Sequence, residues 1–238
     1  MYLLTKENDI LSIRDQYALC DEILKNRLEE LMPQLLKECG VDMWLVICRE
    51  YNEDPVFKTL TPQLVKNASR TSCFIFSLDS RGEYEALSLS RPNPRLAPFY
   101  KQAYDPSTQD QYDAIVKVVE ERSPKKVAVN ISEDCAQADG LSKKLWDNLY
   151  ARLGDRLVAD DSIAIRWLET RTRRELELYP LYLPHRHGCA AGGLLHRRNY
   201  PRRHHHHRCG VLHHAAHQRH GAGRLVCPRC GLAAGRKL

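Results

Sequence analysis

Cys227-Pro-Arg-Cys230 is a C-x-x-C pair with His217 and His220 upstream, a set of sulfur and nitrogen ligands of the kind that hold tetrahedral zinc. The spacing fits no paired-knuckle pattern. His204 to His207 form a short run of the metal-binding type. Arg202, Arg203, Arg208, Arg219, Arg224 and Arg229 could neutralise nucleic-acid phosphates, yet no aromatic interleaving and no known module accompanies them. A third constellation is Arg49-Glu-Tyr-Asn-Glu-Asp-Pro55, which follows directly on an apolar run. Loops in that position, at the carboxyl end of an α/β strand, often carry ligand contacts. Arg49, Asn52, Glu53 and Asp54 are therefore the substrate or interface candidates. No His or paired carboxylate stands near them, so none is assigned to catalysis. The region holds no G-x-G-x-x-G, P-loop, nucleophile elbow or H-E-x-x-H.

The zinc-like and arginine-rich groups lie beyond an abrupt change in composition at Pro180 and Leu181. Residues 1–180 contain no His, and their 25 Lys+Arg against 30 Asp+Glu give a formal −5; residues 181–238 contain all eleven His, eleven Lys+Arg and no acid. The total of +6 is thus a property of the tail alone. A basic binding arm is one cause of such a step. A shift of reading frame is another. Read one nucleotide later with a consistent choice of codons, Pro201 to Leu212 becomes Pro-Gly-Val-Thr-Thr-Thr-Thr-Asp-Val-Val-Tyr-Tyr, and Gly223 to Gly231 becomes Asp-Ala-Trp-Phe-Ala-Pro-Asp-Val-Asp. These are ordinary globular segments in which acidic residues return. The two expected units are accordingly 1–180, a folded domain, and 181–238, a frame-shifted tail with no domain of its own. The few apolar residues of the tail could not offset a backbone ordering cost of roughly 1–2 kcal/mol per residue, which predicts disorder there.

The elements that would position the Arg49–Asp54 loop follow an α/β pattern. Asp21 to Glu38 carries Leu24, Leu28, Leu31 and Leu35 on one helical face, with Pro33 expected to kink or divide it. Gly40 is a natural helix terminator, and Met43 to Cys48 is a continuous apolar run suited to a buried strand. Ser72–Leu78 and Glu83–Ser90 read as a hairpin turning at Gly82, the second strand with Ser88 and Ser90 on a wet face. Arg91 to Pro98, with three prolines, must be loop. Helices are predicted over Thr108–Arg122, Ser142–Leu153, Ser162–Glu169 and Arg173–Tyr179, and strands over Lys126–Asn130 and Arg156–Ala159. The five scattered cysteines before Pro180 read as free thiols. With no secretory leader pattern and no apolar run approaching the ~18 residues of a membrane span, the chain is expected to be soluble and cytoplasmic, with no membrane partner.

Three stretches, Val41-Asp-Met-Trp-Leu-Val-Ile-Cys-Arg-Glu-Tyr-Asn-Glu-Asp-Pro55, Asn130-Ile-Ser-Glu-Asp-Cys-Ala-Gln-Ala-Asp-Gly-Leu141 and Arg166-Trp-Leu-Glu-Thr-Arg-Thr172, resemble the creatinase-type N-terminal domain of Xaa-Pro aminopeptidase-like proteins of the pita-bread superfamily. The resemblance covers roughly Asp15 to Pro180, and the frame-corrected tail looks like the opening of the catalytic domain. It implies a mixed β-sheet flanked by helices, serving as a substrate-cleft lid and homo-oligomer contact. Intact relatives hold two divalent, manganese-like metal ions with two Asp, a His and two Glu, and the bridging water attacks the scissile carbonyl. None of those ligands has a matching position here, so no catalytic or metal residue is carried over, no cofactor is assigned to this chain, and a peptide substrate is expected only with a catalytic domain. Loss of the native continuation should leave Leu176 and Leu178 as exposed apolar surface. The alternative, an α/β domain with a genuine zinc- or nucleic-acid-binding tail, stays open at this point; so does the origin of the frame shift, real or a sequencing error.

Overall fold

A computed structural model describes residues 11–79 and 81–179, and the expectations placed on the tail, including the Cys227–Cys230 pair, lie outside the described residues. The order of elements is α1 (Ile13–Asn26), a π-helical turn (Arg27–Leu31), α2 (Met32–Cys39), β1 (Met43–Arg49), β2 (Thr71–Leu78), β3 (Tyr84–Ser88) and β4 (Lys101–Gln102). Next come α3 (Gln111–Arg122), β5 (Val127–Val129), α4 (Lys143–Leu153), β6 (Leu157–Ala159) and α5 (Ser162–Glu169), followed by a helical segment over 173–179. The six strands form one mixed sheet in the order β4-β3-β2-β1-β5-β6. Its β1–β2 and β2–β3 pairs are antiparallel and its β1–β5, β5–β6 and β3–β4 pairs parallel. This is the expected mixed sheet flanked by helices.

The run Met43 to Cys48 is apolar throughout because β1 lies centrally and both of its faces are covered. Side-chain alternation along β1 divides the core in two: Trp44, Val46 and Cys48 pack with residues of α1, α2 and α5, whereas Met43, Leu45 and Ile47 pack with residues of α3 and α4.

The first helical stretch begins eight residues earlier than its leucine pattern suggested, at Ile13 instead of Asp21. Ser12 caps it by accepting from Asp15 N at 3.2 Å, and the opening turns carry the exposed Ile13, which gives no apolar stripe to read. Pro33 interrupts the helix without stopping it. Met32 N donates to Arg27 O, an i to i−5 bond, so the turn ahead of Pro33 widens where the ring would meet the preceding carbonyl. Gly40 then ends α2 at φ 62°, and Gly82 turns the β2–β3 hairpin at φ 80°.

The wet face expected for β3 is not there. Ser88 and Ser90 are both buried. Ser90 Oγ accepts from Cys73 N and donates to Cys73 O, so its polarity is used in extending the ladder. Ser88 stands opposite Phe74, on a face that Tyr100 covers with its ring centroid 4.7 Å from that of Phe74. Leu178 is likewise buried, leaving Leu176 as the exposed apolar residue of that segment. Cys48 and Cys73 lie in the core as free thiols, and Cys20, Cys39 and Cys135 are partly covered. Among the described residues no helix is long and apolar enough to cross a membrane.

Candidate functional site

At the carboxyl end of β1 the chain makes a tight reversal. Arg49 N donates to Asn52 O at 3.4 Å and Asn52 N to Arg49 O at 3.0 Å, with Tyr51 between them at φ 67° and 91% exposed. A non-glycine residue in the left-handed region is uncommon and marks a constrained turn. A second such residue, Arg70 at φ 57°, is tied to the same turn: Glu50 N donates to Arg70 O at 2.7 Å and Arg70 N to Glu50 Oε2 at 3.4 Å. The reversal is therefore braced from the residue that leads into β2.

The four candidate residues do not form one constellation. Arg49 and Asn52 are exposed. Glu53 is half-buried, its Oε1 accepting from Ala68 N at 3.2 Å. Asp54 is 2% exposed and belongs to the interior. Its Oδ1 accepts from Val56 N at 3.0 Å and its Oδ2 from Asn130 Nδ2 at 2.9 Å, while Asn130 Oδ1 accepts from Trp44 Nε1 at 2.8 Å. Desolvation pushes the Asp54 carboxyl up to about 6, opposed by the Val56 and Asn130 bonds and reinforced by the charge of Asp139. Gly140 lies directly against this carboxylate, and a Cβ there would come within 2.7 Å of Oδ1 and closer still to Cγ and Oδ2. Asn130 O accepts from both Gly140 N at 3.2 Å and Leu141 N at 3.1 Å, holding the 130–141 loop over the node.

A second buried polar group stands on the same side of the sheet. Thr172 and Glu175 form a reciprocal capping box for the 173–179 helix, with Thr172 N donating to Glu175 Oε2 at 2.7 Å and Glu175 N to Thr172 Oγ1 at 3.2 Å. Arg27, the first residue of the π-helical turn, pairs with the same carboxylate at 2.8 Å, donates to Thr170 O at 2.8 Å and to Trp167 O, and lies 4.2 Å from the Trp167 ring centroid. Burial pulls the Arg27 guanidinium below its ordinary value and the Glu175 charge opposes that. Trp167 Nε1 donates in turn to Thr59 Oγ1 at 2.8 Å.

Sequence reasoning passed over Trp44, Asn130 and Gly140 as members of the Asp54 node, and Arg27 with Glu175 as a pair. The one signal on offer was an Asn at the end of the buried Val127–Val129 strand, where an unpaired amide would be costly. Chemically, both groups are binders of backbone and loop; neither offers an open acid–base pair. Among the described residues no three His, Cys, Asp or Glu are grouped to hold a metal ion.

No protein-family model and no curated protein matches the chain. Among solved structures it is similar to one described as an Xaa-Pro dipeptidase from Bacillus anthracis, at 12% identity and a TM-score of 0.38, over 68% of this chain and 38% of that one. The relation is a distant structural one, and the chain spans well under half of that protein's length.

Proposed function

We propose that residues 1–180 are the non-catalytic N-terminal domain of an Xaa-Pro aminopeptidase-like metallopeptidase, acting in the cytosol as a cleft-shaping and homo-oligomer contact domain. One observation supports this reading above the others. The stretches Val41–Pro55 and Asn130–Leu141, which carry the sequence resemblance, are far apart in the chain yet share one buried node, Trp44–Asn130–Asp54 with Gly140 packed on it. The third stretch, Arg166–Thr172, sits over Thr59, just beyond the first, through the Trp167 bond. Residue types whose resemblance rests on sequence alone are thus the ones that wire the loops at the end of β1. Asp54 would set the turn from inside, and Arg49, Asn52 and Glu53 would supply its outward contacts to substrate or to a second copy.

On this reading hydrolysis, and the two divalent ions it needs, belong to a catalytic domain to which no described residue contributes a ligand. The test is direct. The purified chain, assayed on Xaa-Pro dipeptides and tripeptides with added manganese or cobalt, should give only background. Turnover that a chelator abolishes would sink the proposal. Sequencing the gene across the Pro180 codon separates a real frame shift from an error in the sequence, since the restored frame would encode the catalytic domain itself.

A further inference from the structure

Between the 57–72 segment, β2 and the proline-rich loop after Ser90 lies a partly open pocket of about 150 Å³. Its floor is apolar and fixed: Phe57, Phe74 and Leu96 are buried, and Val65, Pro92 and Pro94 complete the wall. The remaining lining is polar, with no Asp or Glu in it. Two of those polar groups are committed elsewhere, Ser90 Oγ to Cys73 and Asn93 Oδ1 to Arg95 N. What is left over is rich in donors. Ser72 Oγ accepts from Ser69 N at 3.1 Å, and its own hydroxyl hydrogen goes to no acceptor among the described residues. Arg91 is exposed at the mouth, and its guanidinium makes no ion pair there among the described residues. Asn67 and Ser69 add an amide and a hydroxyl.

The volume is that of a cavity which accepts a benzene-sized molecule, and about half the lower bound of sites for drug-sized ligands. It suits one small apolar group. A ring of donors including a guanidinium, with no carboxylate to compete, suits an anion with paired acceptor oxygens. We propose that this pocket binds a carboxylate borne on a small apolar group, the group seated over Phe57 and Phe74 and the carboxylate held by Arg91 with the Ser72 and Ser69 hydroxyls. Such a group can be a free small acid or the C-terminal residue of a peptide. None of the lining residues lies in the three stretches that support the proposed function, so the site stands or falls independently of it.

Titration of the full-length chain with N-acetyl-leucine and with benzoate, each beside its neutral amide, tests the assignment by NMR. The acids should bind saturably and shift the Phe57 and Phe74 ring signals, and the amides should bind about tenfold more weakly or worse. Arg91→Gln should bring the acids down to the level of their amides while leaving the thermal unfolding midpoint in place, because the side chain is exposed. A tripeptide ending in leucine, compared with its C-terminal amide, separates the two sources. Binding equal to that of N-acetyl-leucine assigns a chain end, and binding of the small acids alone assigns a free acid. Acids and amides that bind alike, ring signals that do not move, or an Arg91→Gln chain that keeps its affinity for the acids would overturn the proposal.

Discussion

Gly140→Ala should be among the most damaging single-methyl changes available in this protein, although Gly140 has no positive φ to explain it. The added Cβ meets the Asp54 carboxylate on all three of its heavy atoms, at 2.7 Å from Oδ1 and less from the others. Either the loop or the carboxylate must move. Overpacking of a buried site costs about 1–3 kcal/mol. Displacing the carboxylate also strands Val56 N or Asn130 Nδ2, and a buried donor left without its acceptor costs about 1–3 kcal/mol more. The sum is roughly 2–6 kcal/mol, which at a urea dependence of about 2 kcal/mol per molar moves the unfolding midpoint down by roughly 1–3 M. Trp44 and Trp167 are buried and report the transition by fluorescence. A double-mutant cycle makes the cause specific: in an Asp54→Ala background the obstructing carboxyl is gone, so Gly140→Ala should cost at least 1 kcal/mol less than in the natural chain. A Gly140→Ala protein within about 0.5 kcal/mol of the parent, or costs that simply add, would refute the reasoning.

Asp54 should also give the protein a pH signature. Its folded value of about 6 lies above the unfolded value, so between about pH 4 and 6 the native state holds a proton that the unfolded chain has lost, and stability falls as pH rises through that window. Two pH units correspond to roughly 3 kcal/mol; the parent minus Asp54→Asn difference in unfolding free energy should carry this slope, and a difference that is flat from pH 4 to 6.5 would count against it. Glu175→Gln should destabilise by roughly 3–5 kcal/mol by leaving Arg27 buried without a counter-charge, whereas Arg27→Met with Glu175→Leu should recover most of the loss; thermal unfolding of the three chains decides. The dialysed full chain should carry no stoichiometric zinc by metal analysis, and one zinc per chain that disappears in Cys227→Ala would favour a genuine metal-binding tail instead.

The sheet and its helices were legible because their signals are local and one-dimensional. Met43 to Cys48 is apolar at every position, which only a strand covered on both faces needs, and Leu145, Leu149 and Leu153 recur at four-residue intervals along α4 and are all buried. Glycines at 40 and 154 ended helices where a positive φ was required. What could not be read was polarity that has been taken inside. Ser88 and Ser90 alternate with leucine and so look like a solvated face; they are buried because Ser90 replaces a ladder partner for Cys73 and because a ring from an irregular segment, Tyr100, closes over Phe74. Nothing local in the sequence announces a cover that arrives from a loop. β4, two residues long, is too short to produce any period at all.

The same limit explains how the candidate loop was found but its parts were not sorted. Position after a buried strand nominated Arg49, Asn52, Glu53 and Asp54 together, and charge alone gives no reason to separate them. The separation comes from partners elsewhere in the chain. Asn130, at the end of β5, the strand next to β1, is the group that makes a buried Asp54 tolerable by donating to its Oδ2, and Trp44 orients that amide by donating to its other end. A carboxylate enclosed in this way cannot meet a ligand without opening the core. It can fix the reversal that displays Tyr51 and the exposed side chains of Arg49 and Asn52. A loop whose interior is hydrogen-bonded and whose tip is held in a left-handed turn is pre-ordered, so under the proposed function a ligand or second copy meeting it would bear little ordering cost. That division of labour, Asp54 inside and Arg49 and Asn52 outside, implies that exchanging Asp54 should alter stability first and contacts second, and exchanging Arg49 or Asn52 the reverse.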